Sequence, residues 1–177
     1  MTQHGAPRAA WWVVVLALTA ATMMAAALGG WQMLAKNRQL PPVAGPALVA
    51  GQPAAREAVL KVAKTNVAKI LTYTPQNVEE VASAAERLLT GEFLSYYRKF
   101  TGQTVVPTAQ REGISTTATV SGAGVESLTS QRASILAFVD QSTTTRDQPS
   151  PKRATSSVRV GLTKVQGTWL IDSFKPT

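Results

Sequence analysis

Between Arg8 and Lys36 the chain runs for about 27 residues without a formal charge. The stretch from Trp11 to Leu34 is dominated by Val, Leu, Ala, Met and Trp, and nothing else in the sequence constrains the fold as strongly. A helix needs roughly 20 such residues to cross a ~30 Å hydrocarbon core. A lone segment in lipid satisfies its backbone only as a helix. Trp11 and Trp12 stand at one end of the run and Trp31 at the other, where amphipathic rings favour the headgroup region. The reading is therefore a spanning helix over 11–34, preceded by a cytoplasmic tail over 1–10. Its rival is a cleaved secretory signal, with Arg8 as the basic start and Ala25-Ala26-Ala27 as a small-residue cleavage site. A signal's apolar region usually has about 7–15 residues, fewer than this run. Both readings place the rest of the chain outside the cytoplasm.

Ala17, Ala21, Ala25 and Gly29 recur every four residues within the run. On a helix this spacing makes one small-residue ridge, against which a second membrane helix can pack closely. An Ala-rich span yields the same spacing without any partner. Beyond the run, Pro41-Pro42, Pro46 and Pro53 with Gly45 and Gly51 predict a linker over 35–55, because proline interrupts helices and such composition favours an extended spacer.

The remaining stretch, 56–177, suits one extracytoplasmic domain with one core. The formal charge of +8 includes Arg8, Lys36 and Arg38 around the run, which leaves fifteen Lys and Arg against ten Asp and Glu in the domain. These cations are scattered, and only Arg98-Lys99 and Lys152-Arg153 are adjacent. Nucleic-acid binding needs a clustered stripe and is not expected; weak attraction to an anionic membrane surface fits better. There is no cysteine, and the single histidine, His4, precedes the run. Disulfides, thiol chemistry, a Ser-His-Asp triad and a His-rich metal site are thus unavailable to the domain.

Helical spacing of Val59, Val62, Ala63, Val67, Ile70 and Leu71 predicts an amphipathic helix over 54–72. A second follows from Val78, Val81, Ala82, Ala85, Leu88 and Leu89, with Asn77 as N-cap and Gly91 as its stop. Phe93, Leu94, Tyr97 and Phe100 predict a third, shorter helix, and a further turn runs from Pro107 to about Glu112. The chain then turns to strands. Gly122 and Gly124 in a Ser/Thr/Val-rich segment suggest a bend or bulge. Ile135 to Val139 reads as a central strand or one buried on both faces, and Val158, Val160 and Leu162 alternate with polar or small residues. Gln166-Gly167 makes a tight hairpin turn into a last strand over 168–174. Helices followed by a strand run predict an α+β domain, with about three helices packed on a curved four-stranded antiparallel sheet.

This layout resembles the nuclear-transport-factor-2-like fold. Four segments carry a more specific resemblance: Ile70-Leu71-Thr72-Tyr73, Leu88-Leu89-Thr90-Gly91-Glu92-Phe93, Ile135-Leu136-Ala137-Phe138-Val139-Asp140-Gln141, and Val158-Arg159-Val160 with Gly167-Thr168-Trp169-Leu170-Ile171-Asp172. With the single span, they resemble the Mce-associated membrane proteins of actinobacteria. That resemblance implies a non-enzymatic accessory subunit of an Mce-type lipid import system. It would be anchored in the inner membrane with its N-terminus inside, contacting transporter subunits or the permease, or a second copy of itself. A type IV secretion assembly component of the same fold is the alternative.

The fold also hosts ketosteroid-isomerase-like enzymes, so Asp140, Asp172, Tyr73, Tyr96 and Tyr97 are the acids and phenols to weigh. Without histidine, metal or a defined partner for the base, no catalytic residue, metal or cofactor is expected. A lipid- or sterol-binding cup lined by Phe93, Tyr97, Phe100, Phe138 and Trp169 is a further reading; the same side chains would equally fill a core.

Overall fold

A computed structural model describes residues 52–177. The run from Trp11 to Leu34, its Ala17, Ala21, Ala25 and Gly29 ridge and most of the linker lie outside the described residues. Among the described residues no helix is long and apolar enough to cross a membrane.

The domain opens with α1 (Pro53–Leu71), whose first-turn proline needs no backbone donor there. The last residues of the stretch read as linker thus belong to this helix. Val59, Ala63, Val67 and Ile70 bury one face of α1, while Lys61, Lys64 and Lys69 stay in solvent. Helix α2 (Val78–Glu86) follows. Asn77 is its boundary residue, but its Oδ1 accepts a hydrogen bond from the Thr74 amide at 2.7 Å instead of capping the helix. Helix α2 ends at Glu86, short of the expected Leu88-Leu89, and Gly91 (φ 62°) begins α3 (Gly91–Phe100) instead of stopping α2. Leu88 and Leu89 leave the helix because their backbone is committed elsewhere, as described below. A π-helical turn (Thr101–Val105) then leads into α4 (Val106–Glu112), with Pro107 in its first turn.

Four strands complete the chain: β1 (Ser115–Leu128), β2 (Arg132–Thr144), β3 (Lys152–Val165) and β4 (Thr168–Pro176). They form one sheet in sequence order, β1-β2-β3-β4, with β1–β2 and β2–β3 antiparallel. The α+β architecture and the four-stranded sheet match the expectation for a nuclear-transport-factor-2-like domain. The β1–β2 register shifts between Val120 and Gly122 and again between Val125 and Ser127. Such extra residues bend a strand and raise its twist, which is the bend that Gly122 and Gly124 suggested. Gln166 (φ 49°) and Gly167 (φ 85°) both have positive φ, the backbone that a two-residue hairpin between β3 and β4 requires.

The core lies between α1 and one face of the sheet. Val59, Ala63, Val67 and Ile70 share a buried cluster with Ile135, Ala137 and Val139 of β2, Val158, Val160 and Leu162 of β3 and Ile171 of β4. Fully burying each Val, Leu or Ile side chain contributes about 1.5–3 kcal/mol, so this aliphatic face organises the fold.

The segments between helices bind the two edge strands. After α1, Tyr73 exchanges backbone hydrogen bonds with Thr116 of β1, N to O at 2.9 Å and O from N at 2.8 Å. Thr72 Oγ1 accepts from the Ala118 amide at 3.0 Å, and an Arg56 guanidinium N–H donates to the Val125 carbonyl at 3.3 Å. On the opposite edge, Leu89 forms a parallel bridge with Ile171 of β4. Exposed edges invite pairing with other chains; here one bridge occupies part of each edge.

Candidate functional site

The alternation of β2 decides where its apolar run points. Ala133, Ile135, Ala137 and Val139 are buried toward the helices, so the residues between them face away. Phe138 is 46% exposed. The strand is central but not buried on both faces, and Phe138 does not join the expected cup. It stands on the outer face, opposite Gly122 of β1 and Ser157 of β3. A Cβ placed on Gly122 would lie 3.3 Å from Phe138 Cδ2, so the ring rests beside bare backbone. Leu136 is likewise paired with Gly124 on one side and Arg159 on the other. The outer face thus carries a Leu136–Phe138 ridge along β2 and a glycine valley along β1.

Charged groups frame this ridge. The Arg159 guanidinium donates to Glu126 through Nε at 2.8 Å and Nη2 at 3.0 Å, and Ser134 Oγ donates to the same carboxylate at 2.8 Å. The network spans β1, β2 and β3 and fixes the end of the ridge near Leu136. The Arg159 and Ser134 hydrogen bonds hold the Glu126 carboxyl down to about 2. Near the other end, Asp140 accepts from Thr155 Oγ1 at 2.6 Å, and this bond with a lesser one from Ser121 lowers its carboxyl below the usual range. Asp172 accepts from Thr163 Oγ1 on the neighbouring strand. Each of the two strand acids weighed for base chemistry is thus engaged by a threonine hydroxyl.

The other four aromatic residues named for a cup do not form one lining. Phe93 and Tyr97 meet at 6.4 Å between centroids, and Phe93 stacks on Phe174 at 6.3 Å. Phe93, Tyr97, Trp169 and Phe174 all pack partly buried against the aliphatic core. Trp169 also lies under the Lys164 ammonium at 5.5 Å. Phe100 instead stacks on Tyr96 at 5.8 Å, beside the solvent-exposed Tyr96 ring. Spacing on one helix brought Phe93 and Tyr97 together; Phe174 lies far along the chain and had no local signal.

A second feature had no signal in the sequence. A cleft of ≈ 310 Å³ opens between α2, α3, the π-helical turn and α4, lined by Glu79, Ala82, Ser83, Glu86, Tyr97, Arg98, Thr101, Gly102 and Val106. Arg98 Nε donates to Glu86 at 2.7 Å and Gln110 Nε2 donates to Glu79 at 2.8 Å. Burial pushes the Tyr97 phenol up, and the Glu86 charge adds to the shift. The Thr101 hydroxyl, buried beside the phenol, opposes the shift by more than the Glu86 charge adds to it. Tyr73 lies deeper; burial raises its phenol while the Thr116 hydroxyl opposes the shift. Among the described residues, no group of His, Cys, Asp and Glu is arranged to hold a metal ion.

Comparison with known proteins adds the lineage. No family model matches the chain. The outer membrane protein Rv1973 of Mycobacterium tuberculosis is 39% identical over 122 residues, which cover 69% of this chain and 76% of that protein. The chain belongs to the family of this mycobacterial protein. A second relative, the uncharacterized protein Rv1362c of Mycobacterium tuberculosis, is 46% identical over 123 residues, 70% of this chain and 56% of its own length. The chain therefore matches little more than half of that relative. Among solved structures, an IcmL-like type IV secretion system protein from Legionella pneumophila superposes with a TM-score of 0.59 at 12% identity, covering 69% of this chain and 91% of that one. A periplasmic fragment of TraM superposes with a TM-score of 0.57 at 10% identity, covering 68% and 95%. At these identities the two structures share the fold.

Proposed function

We propose that this chain is a membrane-anchored accessory subunit of an Mce-type lipid import system, with its domain in the cell-envelope space, working through protein–protein contact and not through catalysis. One observation carries the reading: α1 packs the inner face of the sheet, while the outer face presents Phe138 and Leu136 beside a glycine valley. A concave site for chemistry or for a sterol would need the inner face; a partner needs the outer one. Exposed aromatic side chains beside bare backbone are the anchors that protein interfaces use. The uncharged run from Trp11 to Leu34 supports the anchor, with N-terminus inside, and its ridge offers a helix-packing face. The mycobacterial kinship and the four motif segments support the Mce assignment. The shared fold also supports a second reading, an assembly component of type IV secretion at the inner membrane.

Affinity purification of the full chain from detergent-solubilised membranes, with partners identified by mass spectrometry, separates these readings. Recovery of Mce subunits or a permease is the expected result. Recovery of secretion components favours the second reading, and recovery of neither sinks the first.

A further inference from the structure

We infer that the end of the domain where α1 begins and the two hairpins meet is a lipid-docking surface, which lies on the headgroups of an anionic membrane. The inference rests on the reading of 11–34 as an anchor. The segment 35–52 joins that run to Pro53. At about 3.3–3.6 Å per residue, this segment keeps the start of α1 within ~65 Å of Leu34. Helix α1 then rises about 1.5 Å per residue and carries the chain ~28 Å from its point of arrival. The tether therefore joins the domain at this end and not at the other.

Hydrogen bonds gather the end into one rim. Arg56, in the first turn of α1, donates to the Val125 carbonyl at 3.3 Å, which sets the start of the helix beside the later part of β1. The β1–β2 hairpin turns between Leu128 and Arg132, where the Arg132 amide donates to Thr129 Oγ1 at 2.9 Å. The Lys164 amide donates to the Gln131 carbonyl at 2.9 Å, so the end of β3 joins that turn. The β3–β4 turn at Gln166-Gly167 follows directly.

The side chains on this rim have the chemistry of a membrane–water boundary. The Lys164 ammonium lies 5.5 Å from the centre of the Trp169 ring, whose body packs partly buried against the core. Tryptophan and the long stems of lysine both favour the headgroup region, where an apolar body meets a wet tip. Val165, the last residue of β3, is 38% exposed and adds apolar surface at the hairpin tip. Arg132 is exposed and stands across from Thr163. Arg159 balances the Glu126 carboxylate. Arg56, Arg132 and Lys164 then stand against Glu57 alone, which leaves an excess of two positive charges. Such charges gain from anionic headgroups within a Debye length.

The sequence has no cysteine, so a fluorophore on one introduced thiol reports one site. The full chain carries it at Thr168→Cys, on the β3–β4 turn, or at Ser150→Cys, in the loop at the opposite end of β3. Each chain is placed in nanodiscs of phosphatidylcholine, alone or mixed with phosphatidylglycerol, with a quencher on the lipid headgroups. Quenching of the Thr168 label is expected, stronger with phosphatidylglycerol and weaker in high salt, while the Ser150 label stays bright. Arg132→Gln with Lys164→Gln should lower the contact about fivefold for each charge removed, and Arg132→Lys with Lys164→Arg should keep it. Equal quenching at both labels, indifference to phosphatidylglycerol or unchanged quenching in the glutamine variant overturns the proposal. A chain that does not enter the discs removes the anchor reading and this inference with it. A chain held in the disc with an unquenched Thr168 label overturns the docking alone and leaves this end to a protein partner.

Discussion

Leu89 and Ile171 lie side by side in a parallel bridge, the Thr90 amide donating to the Ile171 carbonyl and the Ile171 amide to the Leu88 carbonyl, both at 2.9 Å. The link between α2 and α3 is thereby stitched to β4, and both side chains are buried, Leu89 to 3% and Ile171 to 0% exposure. Leu89→Ala should cost about 2–5 kcal/mol, the range for truncating a buried leucine. Urea titration of the full chain in micelles checks this; a loss well under 1 kcal/mol would show that the bridge, not the side chain, holds the edge.

This bridge also shows where sequence reading stops. Leu88 and Leu89 continue the apolar spacing of α2, and by periodicity alone they are helical. Their departure is decided by a β4 partner some eighty residues later, which no local window contains. The same holds for Phe138. Five consecutive apolar residues conceal the alternation that any strand imposes, so Ile135, Ala137 and Val139 could be placed in the core, but the outward direction of Phe138 could not be read from the run. What was legible had local causes: the helical face of α1, the turn at Gln166-Gly167 and the glycines of the β1 bend. The cleft around Thr101 joins separate helices through a π-helical turn, for which the sequence has no marker.

Phe138→Ser should cost stability only modestly, about 1 kcal/mol, because nearly half of the residue's surface is exposed. The same variant should reduce co-purification of envelope partners with the full chain. Undiminished recovery would place the contact surface elsewhere.

Acid sensitivity should reside partly in Glu126. Its carboxyl sits near 2 in the folded chain, below its ordinary value of 4.5. A carboxyl lowered by folding stabilises the native state above its unfolded value, and that contribution fades as pH falls through the folded one. Wild type should therefore lose stability between about pH 5 and pH 2, and Glu126→Gln should lose less over the same window. Denaturation midpoints at neutral pH and near pH 2.5 test it: parallel curves for the two proteins would show that the Arg159 pairing contributes nothing.

If the membrane ridge packs a partner helix, Ala21→Leu with Ala25→Leu should weaken recovery of that partner while leaving the urea midpoint of the domain unchanged, since bulky side chains keep helices apart. Equal recovery would assign binding to the domain alone.

The order of elements also sets a schedule for the newborn chain. Synthesis delivers α1 first and the strands last, yet Val59, Ala63, Val67 and Ile70 of α1 share one buried cluster with residues of all four strands, and α1 lies chiefly against β1. The helix must wait, apolar stripe uncovered, at least until β1 has emerged. Such an intermediate is exposed to proteases and to chance aggregation. A chain truncated before β1 would keep that stripe uncovered, while the later strands complete the cluster around a helix that is already partly covered.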